Sequence, residues 1–312
     1  MDMIKSNEQV DFTQDIWLLA EQNGLQIRKE SMEINESGMD FRVAFATDIS
    51  GQKWVLRQPR REDVWGRAEN ERRVLDVVRG SVPAQVPDWR ICTPELIAYP
   101  LLDGDPIAVV DPAGAGYAWR FPQETLSDEF LDSLAATLAA LHNIDPEEAA
   151  KGGVRIKTPM EARKEFAANI EEIKKNFMVP DQLAERWTVW LSVGSFWPKH
   201  STFNHGDLHP PHIIVDDTQR VTGLIDWTEA EIADPGKDFV ILYGLFQDDG
   251  LRDLLKRYEK AGGRTWPQMF EHIREQWAAY PALVAKFALT TGEESTMEMA
   301  RGMLANWDVR RD

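Results

Sequence analysis

Thiol chemistry is nearly absent from this chain. Its 312 residues include one cysteine, Cys92. A lone thiol excludes an internal disulfide and fits a reducing compartment, so the chain is expected in the cytoplasm. Long apolar runs are missing too, and nothing approaches the ~20 residues needed to span a bilayer. The opening Met1-Asp2-Met3-Ile4-Lys5-Ser6-Asn7 lacks the apolar core of a secretion signal. No membrane partner is expected. Positive charge is short: 35 Lys and Arg stand against 52 Asp and Glu, a formal net charge of −17. Such an excess argues against a protein that tracks nucleic-acid phosphates, and no nucleic-acid partner is expected. Most of the carboxylates read as solubilising surface, and the negative field favours a cationic small molecule. Internal repeats, low-complexity tails and a G-x-G-x-x-G phosphate loop are also absent.

What remains is an ordinary globular composition, 43% hydrophobic and 28% charged. The length suffices for two lobes with sizeable cores. The most informative run is His205-Gly206-Asp207-Leu208-His209-Pro210-Pro211-His212, followed by Ile213-Ile214-Val215. Glycine and the two prolines keep Asp207 out of helix, in a loop ahead of a strand. A second run, Val221-Thr222-Gly223-Leu224-Ile225-Asp226-Trp227, ends an apolar strand in a carboxylate. A buried carboxylate there needs a cation or hydrogen-bond donors to satisfy it.

The frame His-x-Asp-x-x-x-x-His, then Ile-Asp-Trp, resembles the kinase-like phosphotransferases, whose protein-kinase form is H-R-D-x-x-x-x-N followed by D-F-G. The His-Gly-Asp-Leu-His-Pro version is closer to the antibiotic and choline kinases. With His212 and Asp226-Trp227-Thr228-Glu229-Ala230 it resembles the macrolide 2′-phosphotransferases. The resemblance covers essentially the whole chain. It implies an α+β, bilobal, protein-kinase-like fold: a small β-rich N-lobe over residues 1–103 that binds nucleotide, and a large mainly helical C-lobe over residues 104–312 with the catalytic loop and acceptor site. The hinge falls at Pro100-Leu101-Leu102-Asp103-Gly104. In that frame Asp207 orients the acceptor hydroxyl and takes its proton, while His212 and Asp226 hold Mg²⁺ against the nucleotide phosphates. The donor it implies is GTP, with ATP as the other candidate; no residue by itself shows that preference. A monomer is expected.

The first hundred residues alternate as an antiparallel meander should. Phe12 to Asn23 has helical spacing. Leu25-Gln26-Ile27, Met32-Glu33-Ile34, Phe41 to Ala46 and Trp54 to Arg57 read as strands. Asn35 to Asp40, with Ser37 and Gly38, stands where the fold puts its phosphate-covering loop; Gly38 as a plain hairpin glycine is the competing reading. Arg57 ends an apolar strand where the kinase frame wants a lysine. An arginine there stays charged and offers several donors to phosphate oxygens. Arg60 and Arg61 follow it and extend the local positive charge. Arg67 to Arg79 reads as a helix, with Glu71 favoured over Glu69 as the partner of Arg57 because it shares the side of Val74. Asp88 to Cys92 and Leu96 to Tyr99 are two more strands. Tyr99 and Leu101 are the base-pocket residues that fold analogy suggests, with core packing as the alternative.

Beyond the Gly/Pro-rich connection Asp105 to Gln123 the patterning turns helical. Thr125-x-x-Asp128 opens a helix ending at His142, a residue read as structural. Thr158-Pro159-Met160-Glu161 is a strong helix start, running to about Phe177, and Leu183 to Leu191 forms another helix. In antibiotic kinases such an insert helps to wall the acceptor site. Helices are expected over Phe239–Leu245, Leu251–Ala261, Trp266–Leu289 (started by Thr265-x-x-Gln268 and kinked or ended by Pro281) and Glu294–Trp307. Family likeness also implies that Asp234 and Asp238 brace the catalytic loop. A cationic amino sugar calls for a carboxylate near Asp207, and Glu229 and Glu231 are the candidates. Three other readings stay open: a kinase of another small molecule such as an aminoglycoside, choline or a metabolite; a non-catalytic kinase-like binding module; and a zinc hydrolase using His205, His209 and His212. Pro210 and Pro211 count against the last, because they forbid the helix on which close histidine pairs usually stand.

Overall fold

The computed structural model describes residues 2–36, 38, 40–111 and 116–307, with side chains described from residue 12 onward. In chain order the elements are α1 (Asp2–Gln22), β1 (Glu33–Asn35), β2 (Phe41–Thr47), β3 (Lys53–Pro59), α2 (Val64–Val78), β4 (Ile91–Cys92), β5 (Ile97–Pro100), β6 (Asp105–Pro106), β7 (Ala108–Val110), β8 (Tyr117–Trp119), α3 (Asp128–His142), α4 (Pro146–Lys151), α5 (Pro159–Asn176), α6 (Asp181–Ser192), β9 (Thr202–Asn204), β10 (Ile213–Val215), β11 (Val221–Leu224), β12 (Glu231–Ala233), α7 (Val240–Lys260), α8 (Met269–Ala278), α9 (Tyr280–Thr291) and α10 (Glu294–Ala305). This is the α+β, kinase-like arrangement expected, with strands early and helices late. Among the described residues no helix is long and apolar enough to cross a membrane.

The elements form two compact units that interleave along the chain: Met1–Arg120 with Pro211–Thr228, and Phe121–Pro210 with Glu229–Asp312. The first is built on an antiparallel sheet of order β1-β2-β3-β5-β4. Its core joins Phe12, Ile16 and Ala20 of α1, four residues apart on one helical face, to Ala44, Ala46, Leu56, Leu96 and Ala98 from the sheet. Leu56 is fully buried, which by area alone is worth ~1.5–3 kcal/mol. Helix α2 turns Ala68, Glu71, Val74, Leu75 and Val78 inward, so one acid shares its apolar stripe.

The segment 211–228 belongs to this unit because strands tie it there. β10 pairs with β11 and with β6 in a sheet of order β11-β10-β6. Gln85 adds main-chain bonds to Thr222 (2.7 Å) and Leu224 (2.9 Å). Two positions differ from the sequence expectation. Leu25 to Ile27 makes no strand; both apolar residues are buried, but only Ile27 bridges, to Asp48. The connection after Asp105 holds a small hairpin, β7 with β8.

The second unit is helical around the two-stranded pair β9–β12. Its core packs Ile170 and Ile173 of α5 and Leu183, Trp187 and Trp190 of α6 against Ala282, Ala285 and Ala288 of α9. Three alanines on α9 leave room for the tryptophans. The cap at Thr158 forms as a full capping box: Thr158 Oγ1 accepts from the Glu161 amide at 3.2 Å, and Glu161 Oε2 accepts from the Thr158 amide at 2.8 Å. The other two expected starts are corrected. Ser127, not Thr125, caps α3 through the Phe130 amide (3.2 Å), while Thr125 closes a short turn onto Pro122. Helix α8 begins at Met269 after an uncapped Gln268. Pro281 falls in the first turn of α9, where its missing N–H costs nothing, and so divides α8 from α9. The two helices expected over 239–261 run together as α7 across a kink at Gln247, φ 58°.

Candidate active site

In the first unit β3 and α2 bring Arg57 and Glu71 together. Arg57 Nη1 lies 3.0 and 3.1 Å from the two Glu71 carboxylate oxygens, with both side chains buried. The guanidinium also lies 4.1 Å from the centre of the Phe41 ring, a cation–π contact. Burial opposes the charge on Arg57, but the Glu71 carboxylate outweighs it and holds the pKa above its ordinary value. Tyr99, on the neighbouring strand β5, is buried beside this pair. Its phenol is pushed up to about 12, mainly by burial, with Arg57 working against the rise and Glu71 and Asp226 adding to it. Its phenol thus belongs to the ion-pair cluster. The Leu101 amide is engaged by the Lys53 carbonyl at 2.9 Å.

Arg60 and Arg61 do not add free positive charge beside Arg57. Arg60 ties down the preceding loop, donating to the Gly38 carbonyl (2.9 Å) and Glu36 Oε2 (2.7 Å). Arg61 pairs with Asp40 (2.9 Å) and Asp63 (3.1 Å). Ser37 lies outside the described residues.

In the same unit, Asp226 follows β11 in the left-handed region, φ 62°. A non-glycine residue there is strained unless its surroundings hold it, and such strain clusters at functional sites. Asp226 is half-exposed rather than buried as its strand position suggests, with 45% side-chain exposure. Its Oδ2 lies 3.6 Å from His212 Nε2. Thr228, which no local pattern in the sequence singles out, donates from Oγ1 to Asp226 Oδ1 at 2.9 Å and lies 3.5 Å from Glu71 Oε2. A hydroxyl thus links the Arg57–Glu71 pair to the His212–Asp226 pair. The carboxylate oxygen suits Mg²⁺, which fills most of its positions with phosphate oxygens and water, while the imidazole nitrogen is a softer ligand that tolerates Mn²⁺ as well.

In the second unit β9 leads into the loop that carries Asp207. The His205 and Gly206 amides donate to Asp238 Oδ2 (2.9 Å) and Oδ1 (2.8 Å). Asp238 is buried, and His142 Nε2 meets it at 3.1 Å, while His142 Nδ1 meets the Tyr258 hydroxyl at 2.9 Å. Burial raises the Asp238 carboxyl, but His142, His205 and the Gly206 amide outweigh it and hold it below its usual range. The Asp234 carbonyl accepts from Asn204 Nδ2 at 2.7 Å. Gly206 has φ +86°, and a Cβ there would stand 2.1 Å from the Glu229 carbonyl oxygen. Only glycine fits this turn. Asp207 follows it with 47% side-chain exposure, and His209 Nε2 stands 3.9 Å from its Oδ2. The loop amides and a bare glycine therefore aim one solvent-accessible carboxylate, an arrangement suited to orienting a hydroxyl group.

Glu231 is buried on β12 and paired to Lys237 Nζ at 2.9 Å, with Lys157 at 3.8 Å. Its charge is met inside the unit. Glu229 supplies the carbonyl over Gly206 and is exposed. Of the two acids, Glu231 is buried and paired, and Glu229 is the exposed one.

The chain is similar to known proteins along most of its length. Residues 31–272 match the model of the phosphotransferase enzyme family. A solved macrolide 2′-phosphotransferase type I is 39% identical, with TM-score 0.86, covering 94% of this chain and 96% of its own. The macrolide 2′-phosphotransferase MphH from Brachybacterium faecium is 37% identical, with TM-score 0.87, covering 94% and 98%. The uncharacterized protein YcbJ of Bacillus subtilis is 46% identical over 282 residues, 90% of this chain and 92% of its own. With a family match over most of its length and the loop geometry above, the chain belongs to the phosphotransferase enzyme family.

Proposed function

We propose that the chain is a macrolide 2′-phosphotransferase, moving the γ-phosphate of a nucleoside triphosphate, GTP first, to the 2′-hydroxyl of a macrolide's amino sugar. The likeness to two macrolide 2′-phosphotransferases, at 37–39% identity over nearly the full length, carries this reading. Phosphoryl transfer asks the protein mainly for positioning and charge screening. Asp207 orients the hydroxyl and accepts its proton. Arg57, fixed by Glu71, faces the nucleotide phosphates. Tyr99 and Leu101 border the base. His212 and Asp226, the latter steadied by Thr228, are the residues that would hold Mg²⁺, and the ion would supply charge neutralisation on the phosphates. Glu229 is the carboxylate offered to the cationic amino sugar.

The test is a substrate panel. Purified protein is incubated with Mg²⁺ and either GTP or ATP, with macrolides and aminoglycosides as acceptors. The expected product is a macrolide heavier by one phosphoryl group, formed faster with GTP. Phosphorylation of aminoglycosides alone, or of no acceptor, would overturn the reading.

A further inference from the structure

A buried chain of hydrogen bonds runs from the insert helix α6 to the residue before His205. Trp190 Nε1 donates to His272 Nδ1 at 3.1 Å. His272 Nε2 meets Asp234 Oδ2 at 2.6 Å. The carbonyl of the same Asp234 takes Asn204 Nδ2. His272 and Asn204 are fully buried and Trp190 and Asp234 nearly so. Trp190 stacks on Trp197 with ring centres 4.8 Å apart, and Trp197 and Trp266 stand 4.9 and 5.7 Å from the imidazole. Three indoles thus enclose the ring.

The partners decide where its proton sits. An indole N–H only donates, so Nδ1 of His272 must present a lone pair. The proton of the neutral ring is then on Nε2, aimed at Asp234. A second proton would set two N–H groups against each other. Asp234 also accepts from the Gly236 amide (2.8 Å) and Gln276 Nε2 (3.2 Å), but the imidazole is its shortest contact. A histidine–aspartate pair in a tryptophan-lined core is no route to stability, since apolar groups of like volume serve as well or better. Its value lies in fixing one arrangement.

We infer that His272 is a positioning residue: its Nε2–H form, enforced by Trp190, holds Asp234 and through Asn204 sets the entry of the catalytic loop, coupling helix α6 to Asp207. The effect on rate rests on the proposed function; the coupling does not. Nothing local in the sequence marks it, because Trp190, Asn204, Asp234 and His272 lie on four separate elements.

Trp190→Phe tests the inference in the full chain, keeping an aromatic ring and removing the donor together with part of the indole's volume. Nitrogen NMR of histidine-labelled wild type should show His272 locked with its proton on Nε2, and the variant should lose that lock. Amide exchange at His205 and Gly206 should quicken by about tenfold, the size of one net hydrogen bond. With a macrolide acceptor, kcat should fall by a similar factor while KM for the nucleotide stays. His272→Gln, which keeps a donor toward Asp234, should exchange more slowly at these amides than His272→Leu. If Trp190→Phe lowers the melting temperature but leaves the tautomer and the loop exchange as in wild type, the inference is overturned. If both change as expected while the wild type phosphorylates no macrolide, the coupling stands and the proposed function falls.

Discussion

Arg57 Nη1 sits between the two carboxylate oxygens of Glu71, at 3.0 and 3.1 Å, in a position where Glu71 is wholly buried. Removing the cation leaves that carboxylate uncompensated. Arg57→Ala should therefore cost about 3–5 kcal/mol of stability, the range for breaking a buried pair. It should also raise KM for the nucleotide and leave KM for the acceptor nearly unchanged. Arg57→Lys keeps the charge and should recover most of both losses. Denaturant melts and steady-state kinetics measure these effects. An alanine variant with unchanged nucleotide kinetics would confine Arg57 to a structural role.

Asp207 and His212 should fail differently when replaced. Asp207→Asn keeps the shape of the loop but removes the proton acceptor, so the rate should fall by at least about a hundredfold, with nucleotide affinity and Mg²⁺ requirement retained. His212→Asn keeps a ligand of the kind protein kinases use. Activity should persist in part, with a higher Mg²⁺ concentration at half-maximal rate. A metal titration of both variants beside wild type separates the roles. An unchanged requirement in His212→Asn would remove His212 from the metal set.

Gly206→Ala should disable the loop without unfolding the protein. The added Cβ meets the Glu229 carbonyl oxygen at 2.1 Å, and the backbone has φ +86°. The left-handed conformation alone costs a non-glycine residue roughly 1–3 kcal/mol. Circular dichroism should stay near wild type while turnover falls at least as far as in Asp207→Asn. An active Gly206→Ala enzyme would show that the loop amides need not sit on Asp238.

Glu231 makes a pH prediction. Burial works against its charge, but Lys237, with Lys157 and Arg155, holds its carboxyl below the ordinary 4.5. The folded chain thus binds this proton less readily than the unfolded one. The stability it contributes is full above the ordinary value and is lost as pH falls through the folded one. Glu231→Gln should lower stability at neutral pH and flatten its decline into acid. Parallel slopes for wild type and variant would show that Glu231 does not drive the acid sensitivity.

How far the sequence speaks depends on whether the signal is local. The turn at Gly206-Asp207 reads from glycine, proline and an apolar strand beyond. The α5 cap reads from four consecutive residues, Thr158 to Glu161. Glu71 could be singled out because helical spacing puts it beside Val74. The α3 start was ambiguous, since Thr125 and Ser127 both satisfy cap chemistry and only the Phe130 amide decides between them. Strands β9 and β12, three residues each, are too short for alternation to show. The exposure of Asp226 escaped because strand patterning says nothing of the backbone turn that lifts it out. Thr228 stood in view in Asp226-Trp227-Thr228, but its hydroxyl acquires meaning only once Glu71, far away in sequence, is placed beside it.

The interleaved chain path has a consequence for synthesis. The Ile107 amide bonds to the Ile213 carbonyl, and Gln85 to Thr222 and Leu224, so these early groups wait for partners made much later. During vectorial emergence from the ribosome, residues 1–120 carry an unfinished sheet edge through the whole synthesis of α3 to α6, and unpaired edges invite association with other chains. The first unit thus begins first but cannot close until the eighteen-residue return, Pro211–Thr228, that carries His212 and Asp226 has been made.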